Sequence, residues 1–477
     1  MHQCRPVAKT YAWQQTVWRI CEVQVLRDDS GQPPAKEQAY PRPAYAWYVV
    51  VVLTIAYVVS FLDRQILALL VEPIKHDLGI SDTRMSLLLG FAFALFYTLL
   101  GIPAGRLADR LDRRWIITGG ITLWSIMTGL CGLARDYSQL FLARIGVGVG
   151  EATLNPAALS LISDYFPPAS RARPLGFFAM GVSVGAGCAL VAGGWLIETI
   201  AAAPPVSLPL VGTLYPWQTV FLVLGIPGLL VAALMGTVRE PQRHGRLQRS
   251  TGVDAQLGIR EALGYLRGRW RGYAGIVLGM SGATLLGYGF LSWLPALFMR
   301  TWGWSIAQVA LVQGLVLLTA GPISVYAAGW FADVLSRRGD RAAHLRVFTW
   351  LAGVMTASAV ALSLAPGPWW AAGFFFINVL GSAGLTAVAT AGLMLITPNQ
   401  LRGQASAIYY FTINVTGLTL GPVAVAVLTD HVFEDDAALR YSMALVGLAG
   451  GLFASIAAWR GVRAYADAML EARSWSD

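Results

Sequence analysis

Residues 105–114 read GRLADRLDRR, and residues 329–338 read GWFADVLSRR. Each follows a long apolar run and stands just before another. The shared skeleton is a glycine, an aspartate four positions on, and a closing pair of arginines. Working outward from the two copies, apolar runs of 18 or more residues recur along the chain, long enough to cross about 30 Å of hydrocarbon as helices. Twelve spans are expected: about 45–70, 84–105, 115–134, 138–161, 172–198, 214–236, 273–298, 304–330, 345–364, 367–395, 403–428 and 440–460.

Composition points the same way. The 477 residues are 56% hydrophobic and 13% charged, with a mean hydropathy of +0.57, against roughly 25% charged in soluble domains. The net charge of +9 is placed by topology, not by nucleic acid. With the N-terminus inside, the outer loops hold only Lys75, Arg84, Arg135, Arg300 and Arg440 of the 35 lysines and arginines. Arg64 and Arg144 lie within spans, and all the others fall inside, which puts both termini in the cytoplasm by the positive-inside rule.

Residues 1–43 are expected to be a disordered cytosolic extension. A six-helix bundle over 44–236, a basic cytoplasmic linker over 237–272, a second bundle over 273–464 and a tail over 465–477 follow. Cys4, Cys21, Cys131 and Cys188 show neither a disulfide framework nor metal spacing, so no cofactor or metal is expected. The three lysines, Lys9, Lys36 and Lys75, form no phosphate-binding loop, which excludes ATP-driven transport by that motif. No nucleophile motif points to an enzyme. Glycines 181, 185, 187, 193 and 194 suit the fifth span for close helix packing.

The loop motif repeats in register with its surroundings. Span four ends Leu161-Ile162-Ser163-Asp164, and span ten ends Leu395-Ile396-Thr397-Pro398. Two like halves form a parallel repeat. The loop over 105–114 resembles the signature of the major facilitator superfamily, and residues 144–151, RIGVGVGE, resemble that family's fourth-helix motif. The pair Asp63-Arg64, the following VEPIKHDLGISD and the Arg144–Glu151 motif resemble the spinster-like branch. Asp112 departs from the glycine usual in the loop motif.

An acid at the cytosolic end of a helix can accept hydrogen bonds from a neighbouring helix N-terminus, and the arginines can pair with acids such as Asp164. Asp109, Arg110, Arg113, Asp164, Asp333 and Arg337 are therefore expected to form a cytoplasmic gate, made when that side is shut. Asp63, Arg64, Arg144 and Glu151 sit well within spans, where a charge costs at least about 2.5 kcal/mol. On helical rise, Asp63 lies about 10 Å, Arg144 about 6 Å and Glu151 about 16 Å below the outer boundary. Pairs of Asp63 with Arg144 and of Arg64 with Glu151 are expected.

The second half carries Ser292-Trp293 and Asn378 at the matching positions, so the repeat keeps the frame and lacks the charges. Tyr288, Ser292, Trp293, Asn378, Tyr409, Phe411 and Asn414 are the candidate cavity wall. The spinster-like resemblance implies proton coupling through Asp63 and Glu151, with Arg64 and Arg144 as charge partners or a headgroup anchor. It implies a lysolipid or sphingoid-type substrate moved by alternating access. A transporter of small organic anions or drug-like compounds, and a transport-inactive receptor, are the alternatives. The expected partners are membrane lipids, an amphipathic substrate and protons, not nucleic acid. The expected setting is a monomer in a bacterial inner membrane.

Overall fold

Within a bilayer a chain must satisfy its own backbone hydrogen bonds, and the helix does so segment by segment. The computed structural model describes residues 40–167, 170–204, 206–209, 212–243, 264, 266–398 and 401–473. The N-terminal extension expected over 1–43 lies almost wholly outside them, as does the middle of the linker.

Among the described residues, twelve long helices follow in order. These are α1 (Pro43–Leu69), α2 (82–110), α3 (Arg113–Cys131), α4 (Tyr137–Tyr165), α5 (Ala172–Ala201) and α6 (Pro216–Met235), then α7 (Trp270–Trp302), α8 (Ile306–Arg337), α9 (Ala343–Ser363), α10 (Pro368–Leu395), α11 (Arg402–Phe433) and α12 (Leu439–Arg473). Eleven of them are long and apolar enough to cross a membrane. The remaining one, α3, opens on Arg113 and Arg114 and packs against α4 and α6.

Three boundaries differ from expectation. The segment after α1 is not a loop but a short helix, Val71–Leu78, stopped by Gly79 at φ 59°, a left-handed conformation that glycine adopts at no steric cost. The outer loop before α6 holds a two-stranded hairpin of Ser207–Leu208 with Gly212–Thr213. At the far end, α12 runs through to Arg473, so the expected tail is mostly helix.

The helix pairings of the first six recur in the second six. Helices α1 and α5 pack together, α2 packs on α4, and α3 packs on α4 and α6; α7 with α11, α8 with α10, and α9 with α10 and α12 repeat that pattern. Between the two sets, α5 meets α8, α1 meets α7 and α2 meets α11. The α5–α8 seam depends on paired glycines. A Cβ on Gly187 would stand 2.9 Å from the Gly314 carbonyl oxygen, and one on Gly314 would stand 2.7 Å from that of Gly187. Side chains there would force the helices apart.

Candidate functional site

Three groups of polar residues lie at three heights. The middle one is in the first six helices. Glu151, 1% exposed, pairs with Arg64 through Arg64 Nη2 at 2.5 Å and Nε at 2.7 Å. The Arg64 guanidinium stands 5.1 Å from the Phe61 ring, 4.7 Å from Phe93 and 4.8 Å from Tyr97. This aromatic cage supplies the cation–π attraction a desolvated guanidinium needs.

The other expected pair does not form. Arg144 donates instead to the backbone carbonyl of Asp63 at 3.4 Å and lies 5.6 Å from the Phe93 ring. Asp63 Oδ1, Arg144 Nε and Glu151 Oε1 are buried without a hydrogen-bond partner among the described residues. The cause is local packing. Gly148 brings α4 so close to α2 that an added Cβ would lie 2.6 Å from the Phe93 carbonyl oxygen, and the Phe93 ring occupies one face of Arg144.

At the cytoplasmic end, Arg113 is 1% exposed and held through its Nε and Nη1, while its Nη2 has no hydrogen-bond partner among the described residues. It pairs with Asp164 at 2.5 Å and Glu240 at 2.7 Å and donates to Ser160 at 2.8 Å. Every partner of Arg113 among the described residues belongs to the first six helices or to the stretch of chain leaving them, so Arg113 holds one half together. Arg243 donates to the carbonyls of Ala108 and Leu111, and Tyr165 to that of Arg239, strapping the start of the linker to the same face. Asp112, at φ −63°, caps α3 by accepting from Arg114 N at 3.0 Å. The turn therefore has no need of glycine. Arg110, Asp333 and Arg337 are exposed and make no ion pair among the described residues; the side chain of Asp109 lies outside them.

The clasp between the halves is at the outer face, where sequence reading did not place one. Arg300, in the last turn of α7, binds Asp82 through both oxygens at 2.7 and 2.8 Å and Glu72 at 2.7 Å. Lys75 pairs with Asp82 at 2.7 Å and Asp436 at 2.5 Å, and Thr83 N donates to Asp430 at 2.6 Å. Glu72, Lys75, Asp82 and Thr83 come from the first half; Arg300, Asp430 and Asp436 come from the second. The carboxylates of Asp82, Asp430 and Asp436 converge, but the deepest is already taken by two cations. The available signal was the charge on VEPIKHDLGISD, which reads as a solvated loop until a partner faces it.

Between the halves lies a cavity of about 350 Å³ lined by Phe61 and Gln65 of α1, Val182 and Ala186 of α5, and a second-half wall that includes Tyr288, Asn378 and Asn414. Three of the seven expected wall residues thus line it. Tyr410 lines it where Tyr409 was expected, because Tyr410, Ile413 and Asn414 share one helix face. Tyr409 instead borders a separate cleft beside α7, and Phe411 is 38% exposed elsewhere. Trp293 is fully buried and donates to the Pro422 carbonyl at 2.9 Å, so it is packing between α7 and α11. Ser292 does not line the cavity.

Paired halves around a central cavity, clasped at one face, define a membrane transporter of the alternating-access kind. The chain belongs to the Major Facilitator Superfamily, whose family profile matches residues 53–343. It is an integral, multi-pass membrane protein. The structure is similar to the crystal structure of a bacterial homologue of the human lysosomal transporter Spinster in its inward-facing, unoccupied conformation. The TM-score is 0.75 at 25% identity, over 91% of this chain and 99% of that one. The occupied form of that homologue gives 0.68. An MFS-type efflux pump of Mycolicibacterium smegmatis is 29% identical over 86% of this chain and 90% of its own. A probable L-galactonate transporter of Escherichia coli is 26% identical over 66% and 67%. These relatives are bacterial transporters, not enzymes, and place the chain in an inner membrane.

Proposed function

We propose that the protein is a proton-coupled secondary transporter of an amphipathic, lipid-like substrate of the lysolipid or sphingoid type. The observation that carries the substrate class is a side opening. A cleft of about 650 Å³ between α5, α8 and α10, lined almost entirely by small apolar residues, shares Val182, Ala383 and Thr386 with the central cavity. An acyl chain can enter there from the bilayer while its polar end reaches Gln65, Asn378 and Asn414.

Protons are carried by the buried carboxyls of the first half. Asp63 makes no ion pair among the described residues and its Oδ1 has no hydrogen-bond partner there, whereas Glu151 is held by Arg64. Protonating Glu151 releases Arg64, and its guanidinium then becomes available to an anionic headgroup. Asp109 and the exposed Arg110, Asp333 and Arg337 act at the cytoplasmic face, where the two halves meet once the outer clasp opens, while Arg113 and Asp164 hold the first half together.

A second reading, a symporter of small organic anions, draws on the relatives' names and on the amides in the cavity wall. Uptake into proteoliposomes under an imposed pH gradient tests both. Saturable uptake of a fluorescent lysolipid that collapses in Asp63→Asn and Glu151→Gln supports the proposal. Gradient-driven uptake of a sugar acid such as galactonate, with no lysolipid flux, overturns it in favour of the second reading.

A further inference from the structure

Helices α7 and α12 approach closely near their cytoplasmic ends. A Cβ on Gly461 would stand 2.6 Å from the Cα of Gly275. The crossing leaves a furrow of about 530 Å³ on the outside of the second half, away from the central cavity. Its floor is apolar, with Leu278, Phe453 and Ile456 turned outward at 44%, 50% and 47% exposure. Its cytoplasmic end is lined by Arg271 and Arg460. Arg460 lies one residue to the membrane side of the crossing glycines and Arg271 one turn to their cytoplasmic side, so the two differ in height by about 7.5 Å. Trp270 and Trp459, each next in the chain to one of these arginines, are 58% and 67% exposed, and indole rings favour the membrane interface.

The arginines set this furrow apart from an ordinary lipid-facing groove. Arg269 is paired with Glu471, and Arg346 with Asp340. Arg271 and Arg460 have no ion pair among the described residues. Two uncompensated guanidinium groups at headgroup depth, above an apolar furrow of acyl-chain width, match an anionic phosphate on a diacyl lipid. We infer that the α7–α12 furrow is a binding site for an anionic phospholipid of the cytoplasmic leaflet, distinct from the transport cavity. The lipid's chains lie along Phe453 and Ile456, and its phosphate bridges Arg271 and Arg460.

The test is native mass spectrometry of the full chain in detergent, titrated with palmitoyl-oleoyl phosphatidylglycerol and, separately, with the matching phosphatidylcholine. One phosphatidylglycerol should be retained more tightly than phosphatidylcholine. Arg271→Gln and Arg460→Gln should each weaken it about fivefold, and the double variant should bring it to the phosphatidylcholine level. Arg463→Gln, an exposed arginine on the same helix but outside the furrow, should change retention less than twofold. The thermal unfolding midpoint without lipid should match wild type in all four variants, since these arginines are exposed. Equal retention of the two lipids by the wild-type chain, or unchanged phosphatidylglycerol retention in the double variant, overturns the assignment.

Discussion

The first and second halves share their helix pairings and differ in what they bury at the same height. The first holds Arg64 against Glu151, with Asp63 and Arg144 beside them. The second fills the equivalent of Asp63-Arg64 with Ser292 and Trp293, and the equivalent of Arg144 with Asn378. That asparagine donates to the Met355 carbonyl at 2.9 Å and to Ser358 at 3.3 Å. One half thus builds the frame with shape and neutral hydrogen bonds, while the other carries ions whose desolvation can exceed their mutual attraction. The frame stands without the charges in the second half, so the fold repeated in the two halves does not require them.

The largest effect that tests this contrast is expected from Glu151→Gln. Gradient-driven uptake should fall at least tenfold while substrate counterflow at equal pH stays within threefold. The stranded Arg64 should also lower stability by about 3 kcal/mol, read as a drop in the thermal unfolding midpoint. Arg300→Gln removes the centre of the outer clasp. It should raise the outward-open population about tenfold, seen as faster thiol labelling of a cysteine placed at Gln65. Arg113→Gln should lower the unfolding midpoint without changing that labelling rate, because all its partners lie in one half. If Arg113→Gln speeds labelling as Arg300→Gln does, the division between holding and gating residues is wrong.

Smaller effects belong to the second half. Asn378→Leu gives up two neutral hydrogen bonds, about 1 kcal/mol each, and should leave the pH dependence of uptake unchanged. A shifted pH profile there would erase the contrast between the halves. Smallest of all, Tyr410→Ala should raise KM several-fold through lost cavity wall, while Phe411→Ala should leave transport within twofold.

How much of this was legible follows from the range of each interaction. The helices and the GRLADRLDRR repeat are local patterns. The Arg64–Glu151 pair was also within reach, since a long arginine side chain can bend across the difference in depth between the two. The Asp63–Arg144 pair looked at least as close in depth, yet Arg144 reaches the Asp63 backbone carbonyl and lies beside the Phe93 ring instead. Tyr409 and Tyr410 are adjacent in the chain and face different cavities, a distinction set by helix rotation. The outer clasp joins Glu72 and Asp82 to Arg300 and Asp436, residues far apart in the chain whose charges look merely solvated when read alone.

The sequence by itself determined the helical membrane class, the repeat, the inward bias of positive charge and the confinement of buried ions to the first half. All four follow from hydrophobicity and periodicity, which act residue by residue. Only the tertiary structure decided which charges meet, that Arg113 serves one half while Arg300 joins two, and that an apolar cleft between α5, α8 and α10 abuts the cavity. Those outcomes depend on ångström-scale approach between helices, and glycines such as Gly148, Gly187 and Gly314 permit that approach without revealing in the sequence which partner will arrive.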